Sequence, residues 1–246
     1  MVLVAIILAR ELRSYARQRR TMVVLTLLAI LLANGGYTVV TVSPLVHLSF
    51  VSRRAGSVHL SGYRDLAQSA LIWIGLLPVL FGAQQAAITL AGERERRSLT
   101  ALLAAPISTG QILLGKLLGS LAPSLMMLSI AYTLYVGRLL AGASGASSWI
   151  PVPVVLAALL LILGCSALMN GLALVVSALA PTVAAASITA TFVLLPITLG
   201  LAVLSVNVSD VGPGGVAALG AVAVALTALV LGVAARLLQR ERLLTV

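Results

Sequence analysis

The chain has 246 residues, 61% of them hydrophobic and 9% charged. A water-soluble domain is about half apolar and about a quarter charged, so this composition excludes a soluble fold and points to an all-α polytopic membrane protein. The net charge of +10, from 16 Lys and Arg against 6 Asp and Glu, would suggest nucleic acid in a soluble protein; in a membrane protein it must first be tested against loop charge.

From Val4 to Tyr15, apolar Val4, Ile7, Leu8, Leu12 and Tyr15 recur at helical spacing while Arg10, Arg13 and Arg17 take other positions. Such a helix lies in the membrane interface with its cations toward headgroups. The apolar start could pass for a signal peptide, but its positive charges follow the apolar run instead of preceding it, which argues against cleavage. Residues 21–92 are expected to hold two spans, Thr21 to about Pro44 and about Ala67 to Ala91, each long enough for the roughly 30 Å hydrocarbon layer. Between them lies a polar segment with His47, Arg53, Arg54, His59, Arg64 and Asp65.

Residues 93–112 form the one long polar interruption rich in both charge signs. Glu93 and Arg97 are four apart with the acid first, an order that supports a helix, and Leu99, Leu102 and Leu103 then share a face. Pro106 ends this helix, and Ser108 with Gln111 has capping-box spacing for the next one.

Residues 113–236 are expected to hold four more spans. The third runs from about Leu117 to Gly137, with Lys116 and Arg138 snorkelling to opposite interfaces. The fourth, Pro151 to Leu179, carries Cys165 and Asn170 and ends in an Ala180–Pro181–Thr182 turn. The fifth, Val183 to Leu204, and the sixth, Val216 to Ala235, are separated by Asn207, Asp210 and a Gly212–Pro213–Gly214–Gly215 turn. Residues 237–246 are a basic tail. With six spans both termini lie on one side. That side holds five Lys and Arg before the first span, four around residues 93–116 and three in the tail, against four on the other. The positive-inside rule makes both termini cytoplasmic in a cell (inner) membrane, and the same placement removes the case for nucleic acid.

Few residues carry chemistry. Gly110 to Lys116 fits seven positions of a phosphate-binding loop but has Leu117 where Ser or Thr must hold Mg²⁺, and no strand precedes it. His47 and His59 lack the companions a metal site needs, so no metal is expected. No ionisable residue sits near the middle of a span, where ion-coupled carriers place them. Gln84, Gln85 and Asn170 are the strong hydrogen-bonding side chains at depth, and are read as interhelical or substrate-path residues. Gly115 and Gly119 form a GxxxG pair suited to close packing. Cys165 alone makes no disulfide.

The run Glu93-Arg94-Glu95-Arg96-Arg97-Ser98-Leu99-Thr100-Ala101-Leu102-Leu103-Ala104-Ala105-Pro106-Ile107-Ser108, followed by Ile112-Leu113-Leu114-Gly115-Lys116-Leu117-Leu118, resembles the cytoplasmic coupling segment of ABC-2 type transporter permeases. The match departs at Arg97-Ser98 and Ala101, where that family usually has a Gly-Thr-like pair and an acid. The resemblance implies an N-terminal elbow helix over residues 1–20 and six transmembrane helices, the ABC-2 (type V exporter) architecture. It implies a permease that moves a substrate by alternating access, driven by separate cytoplasmic ABC ATPase subunits that hold the ATP and Mg. This chain would then bind no cofactor and pair with a second copy or a related permease within membrane lipid. Glu93, Glu95, Arg96, Arg97, Leu99, Leu102 and Leu103 would form the contact with the ATPase. The readings outside this family are a membrane assembly or scaffold subunit and an ion-coupled secondary carrier.

Overall fold

The computed structural model describes residues 9, 23, 24, 26–38, 62–96, 109–142 and 150–237. Nearly all of the expected elbow helix, residues 39–61 and 97–108 and the tail from 238 lie outside the described residues. The described part is helical apart from short connections. Its elements are α1 (Thr26–Thr38), α2 (Gly62–Glu95), α3 (Thr109–Gly142), α4 (Val152–Leu179), α5 (Val183–Val206) and α6 (Val208–Leu237). Helices α2 to α6 are long and apolar enough to cross a membrane; α1 is a shorter apolar helix in the region of the first expected span.

α2 and α3 have 34 residues each, about 50 Å of helix against a hydrocarbon core of about 30 Å. Both therefore outrun the spans expected from the apolar runs alone, and their surplus turns carry the charged residues. Arg64 and Asp65 stand at one end of α2 and Glu93, Arg94 and Glu95 at the other, with no charge between. Pro78, Pro123 and Pro196 lie inside α2, α3 and α5, which membrane helices tolerate because neighbouring groups re-satisfy the freed backbone carbonyls.

The expected turn over Gly212 to Gly215 shrinks to one residue. Gly212 adopts φ 70 and ψ 167, whereas Pro213 onward is helical. Positive φ favours glycine, and the fixed φ of proline suits the start of the next helical run. Residues from Val208 thus already belong to α6, and Asn207 alone separates it from α5.

Cross-helix contacts fix the directions. Tyr132 and Tyr135 of α3 donate to the carbonyls of Leu71 and Ala67 of α2, at 2.6 and 3.0 Å, while Lys116 reaches Glu93; α2 and α3 are antiparallel. α4 runs parallel to α2: Gly75 lies against Ile162, Gly82 beside Asn170, and Ser177 beside Leu90. α5 is antiparallel to α2, Glu95 meeting Val183 and Gln84 meeting Ser187 and Thr191, and α6 crosses α4 where Gly164 meets Gly220. The core follows from this order. In α2, 67% of the apolar stretch is buried, whereas α5 and α6 bury 17% and 22%; α2 and α4 are the spine and α5 leans on it.

Candidate functional site

The end of the bundle where α2 and α4 finish and α3 and α5 begin gathers Glu93, Arg94, Glu95, Arg96 and Lys116. Each of the first three has a partner on a different helix. Glu93 accepts from Lys116 of α3, Oε1 to Nζ 2.9 Å, with the side chains 16% and 3% exposed. Lys116 therefore does not snorkel to the surface as expected. The antiparallel pairing of α2 and α3 sets a carboxylate beside it, and a cation this buried is tolerable when paired.

Arg94 turns to α4. Its Nη1 donates to the carbonyl of Ala180 at 2.6 Å and its Nη2 to that of Ala178 at 2.8 Å. These are C-terminal carbonyls without helical partners, at the negative end of the helix dipole. Glu95 turns to α5: its Oε1 accepts from the backbone N–H of Val183 at 2.7 Å, the first N–H of that helix and part of its positive end. Thr182 completes the cap, its Oγ1 accepting from the N–H of Ala185 at 3.1 Å, the usual reward of threonine in this position. One turn earlier the hydroxyl of Ser177 accepts from the N–H groups of Leu90 and Ala91, both at 3.1 Å. The end of α2 is thus fastened to α3, α4 and α5 together.

Of the residues expected to meet an ATPase, Glu93 and Glu95 lie on the last turn of α2 with these intrachain partners, and Arg96 follows them, exposed. Arg97, Leu99, Leu102 and Leu103 fall outside the described residues. Arg94, Lys116, Ser177 and Thr182 were not expected to contribute. The alternating Glu-Arg-Glu-Arg signs and the Pro-Thr pair before an apolar run were the available signals for Arg94 and Thr182; nothing marks Ser177.

Deeper in the bundle the polar residues split. Gln84 bridges to α5, donating to Thr191 Oγ1 and accepting from Ser187 Oγ, both at 3.0 Å. Gln85 is half-buried beside it on α2. Asn170 is fully buried and donates back to the carbonyl of Ser166 in its own helix at 2.7 Å. Its Oδ1 has no partner. Gly82 makes room for it: a Cβ there would lie 3.0 Å from Asn170 Nδ2 and 2.5 Å from Ser124 Oγ. Gly115 and Gly119 are both buried in α3. Among the described residues no group of His, Cys, Asp and Glu is arranged to hold a metal ion.

No curated protein and no solved structure matches the chain. The model of the family described as ABC-2 family transporter protein matches residues 5–213, a stretch that takes in α1 to α5, the fastened end of α2 and the kink that opens α6. On that match, over most of its length, the chain belongs to the ABC-2 family of transporter proteins.

Proposed function

We propose that this chain is an exporter subunit whose energy comes from separate cytoplasmic ATPase subunits gripping the segment after α2. Family membership makes it a permease of an ABC-type transporter and a multi-pass membrane protein. The finer reading is supported chiefly by the fastening of the α2 end: a push delivered just beyond Arg96 would reach α3, α4 and α5 at once, because Glu93, Arg94 and Glu95 each hold one of them.

The end bearing Lys116 and Arg94 faces the cytoplasm in this reading, following the distribution of Lys and Arg. Leu99, Leu102 and Leu103 supply the apolar contact to the ATPase and Arg96 and Arg97 its charged rim, while Glu93 and Glu95 hold the platform behind it. A second copy or related permease completes the pathway, and Gln84 stands on the side of α2 from which α5 can separate. ATP and Mg stay on the partner.

The test is capture of the detergent-solubilised chain from its native membrane extract, comparing wild type with Leu99→Asp/Leu102→Asp. A P-loop ATPase that accompanies the wild type and is lost from the inserted, folded variant supports the proposal. Its absence from both sinks it.

A further inference from the structure

Arg94 and Glu95 are adjacent in sequence, yet they read opposite ends of two successive helices across the three-residue connection Ala180–Pro181–Thr182. The cation meets carbonyls of α4 and the anion meets the first N–H of α5. Each charge is matched to the sign of the helix end it touches. Exchanging the two would place a carboxylate against carbonyls and a guanidinium against an N–H, so the order Arg-Glu is the one that works here.

Of α2 to α6, the helix that Glu95 holds buries the smallest share of its apolar stretch, 17%. The buried residues of α5 are Ala186, Ala190, Leu194, Leu201 and Ser205, a narrow stripe on one face and mostly small side chains. Ile188, Phe192, Leu199 and Val203 stand 57–69% exposed. At its far end α5 runs into Asn207, whose φ of −109 and ψ of 16 leave the helix, and then into the Gly212 kink. Beyond the stripe, α5 is joined to α2 by the Gln84 bridge to Ser187 and Thr191 and by Glu95. It is therefore a rod with non-helical backbone at both ends, Ala180–Pro181–Thr182 before Val183 and Asn207 after Val206, of which the first also carries the side-chain tether from Glu95.

We infer that Glu95, with Arg94 bracing the α4 end beside it, is a positioning residue that steers the first turn of α5, so that displacement of the α2 end is delivered to α5 as a swing about its Asn207–Gly212 end. The inference rests on the permease reading for the source of that displacement. Glu95 touches no substrate; it acts through the Val183 N–H.

The test uses the full chain in lipid nanodiscs with Cys165→Ser, and spin labels at Ile188→Cys and Leu229→Cys near the fastened end, or at Val203→Cys and Leu219→Cys near the other. Distance distributions are recorded with and without the ATPase that accompanies the chain, and with ATP plus vanadate. The expected result is a first-pair distance that shifts with nucleotide in the wild type and loses that shift in Glu95→Ala although the ATPase stays bound. Glu95→Gln keeps an acceptor oxygen and should restore the shift, which a general loss of folding could not do. Equal shifts at the first pair in wild type and Glu95→Ala, or a shift larger at the second pair, would overturn the inference alone. Failure of any ATPase to bind the wild-type chain overturns the ATPase-driven reading and takes the inference with it.

Discussion

Gly164 of α4 and Gly220 of α6 bring two backbones into contact: a Cβ built on Gly164 would stand 2.4 Å from the Gly220 carbonyl oxygen, and one built on Gly220 would stand 2.7 Å from the Leu161 nitrogen. Neither neighbour is a side chain that can rotate away. Gly164→Ala or Gly220→Ala should each force the helices apart, at about 1–3 kcal/mol for an added methyl in a tight core. Thermal unfolding in detergent should register the loss. Gly232→Ala, where a Cβ meets nothing within 4 Å, should be at least as stable as the wild type, Ala being the better helix former; equal effects at all three sites would show that the crossing is not as close as described.

Lys116 and Glu93 should behave as a pair. Removing one partner leaves a charge stranded in a poorly solvated place, which costs about 3–5 kcal/mol when both are buried; the partial exposure of Glu93 puts the expectation near the lower figure. Lys116→Met/Glu93→Leu should recover most of the stability lost by either single change. A double-mutant cycle reads this directly, and additive losses would mean that the two residues do not support each other.

Asn170 offers a change that should strengthen the protein. Its Oδ1 is buried without a partner, a state that costs about 1–3 kcal/mol, and its Nδ2 returns to its own helix instead of joining two. Asn170→Leu keeps the branched shape and the number of heavy atoms and removes both polar atoms, so the unfolding temperature should rise. If Asn170 lies on the substrate path, transport should fall in the same variant. A less stable Asn170→Leu chain would indicate that the amide makes a bond the geometry does not show.

Thr182→Ala removes the side-chain oxygen that accepts from Ala185, at about 1 kcal/mol for a lost N-cap, and Thr182→Ser should restore it. By contrast Gln84→Leu removes the two interhelical hydrogen bonds to Thr191 and Ser187, each typically worth about 0.6 kcal/mol in a membrane, and both lie one to two turns beyond the cap. Hydrogen exchange at the first turn of α5 should rise in the first variant and hardly change in the second. The reverse ranking would assign the anchoring of α5 to Gln84.

The spans were legible in the sequence because their signal is long and one-dimensional. Apolar runs bounded by Arg, Lys, Pro and Gly placed α2 to α5, and Ala180–Pro181–Thr182 marked the connection of α4 to α5. Less legible was what happens past the end of an apolar run. Glu93, Arg94 and Glu95 read as the start of a polar segment, yet they continue α2, because three neighbouring helices satisfy their charges at that level. Lys116 read as a cation heading for the headgroups, since nothing in the sequence says that Glu93 will lie beside it. Gly212 to Gly215 read as a turn by composition, whereas one glycine at positive φ suffices. Pairing between helices is a property of the packed bundle, and composition near one helix does not contain it.

The fastening at Arg94 and Glu95 also sets an order of assembly. Their acceptors and donor lie 84, 86 and 88 residues further along the chain, so during synthesis both charges emerge long before anything exists to receive them. Until α4 and the first turn of α5 have entered the membrane, Arg94 and Glu95 must remain in water or among headgroups, and the end of α2 is held by Lys116 of α3 and not yet by α4 or α5. Contacts of such long sequence separation form late. A nascent chain stopped after α3 would therefore carry an exposed Arg-Glu pair at a helix end, a feature by which quality control could tell an unfinished molecule from a finished one.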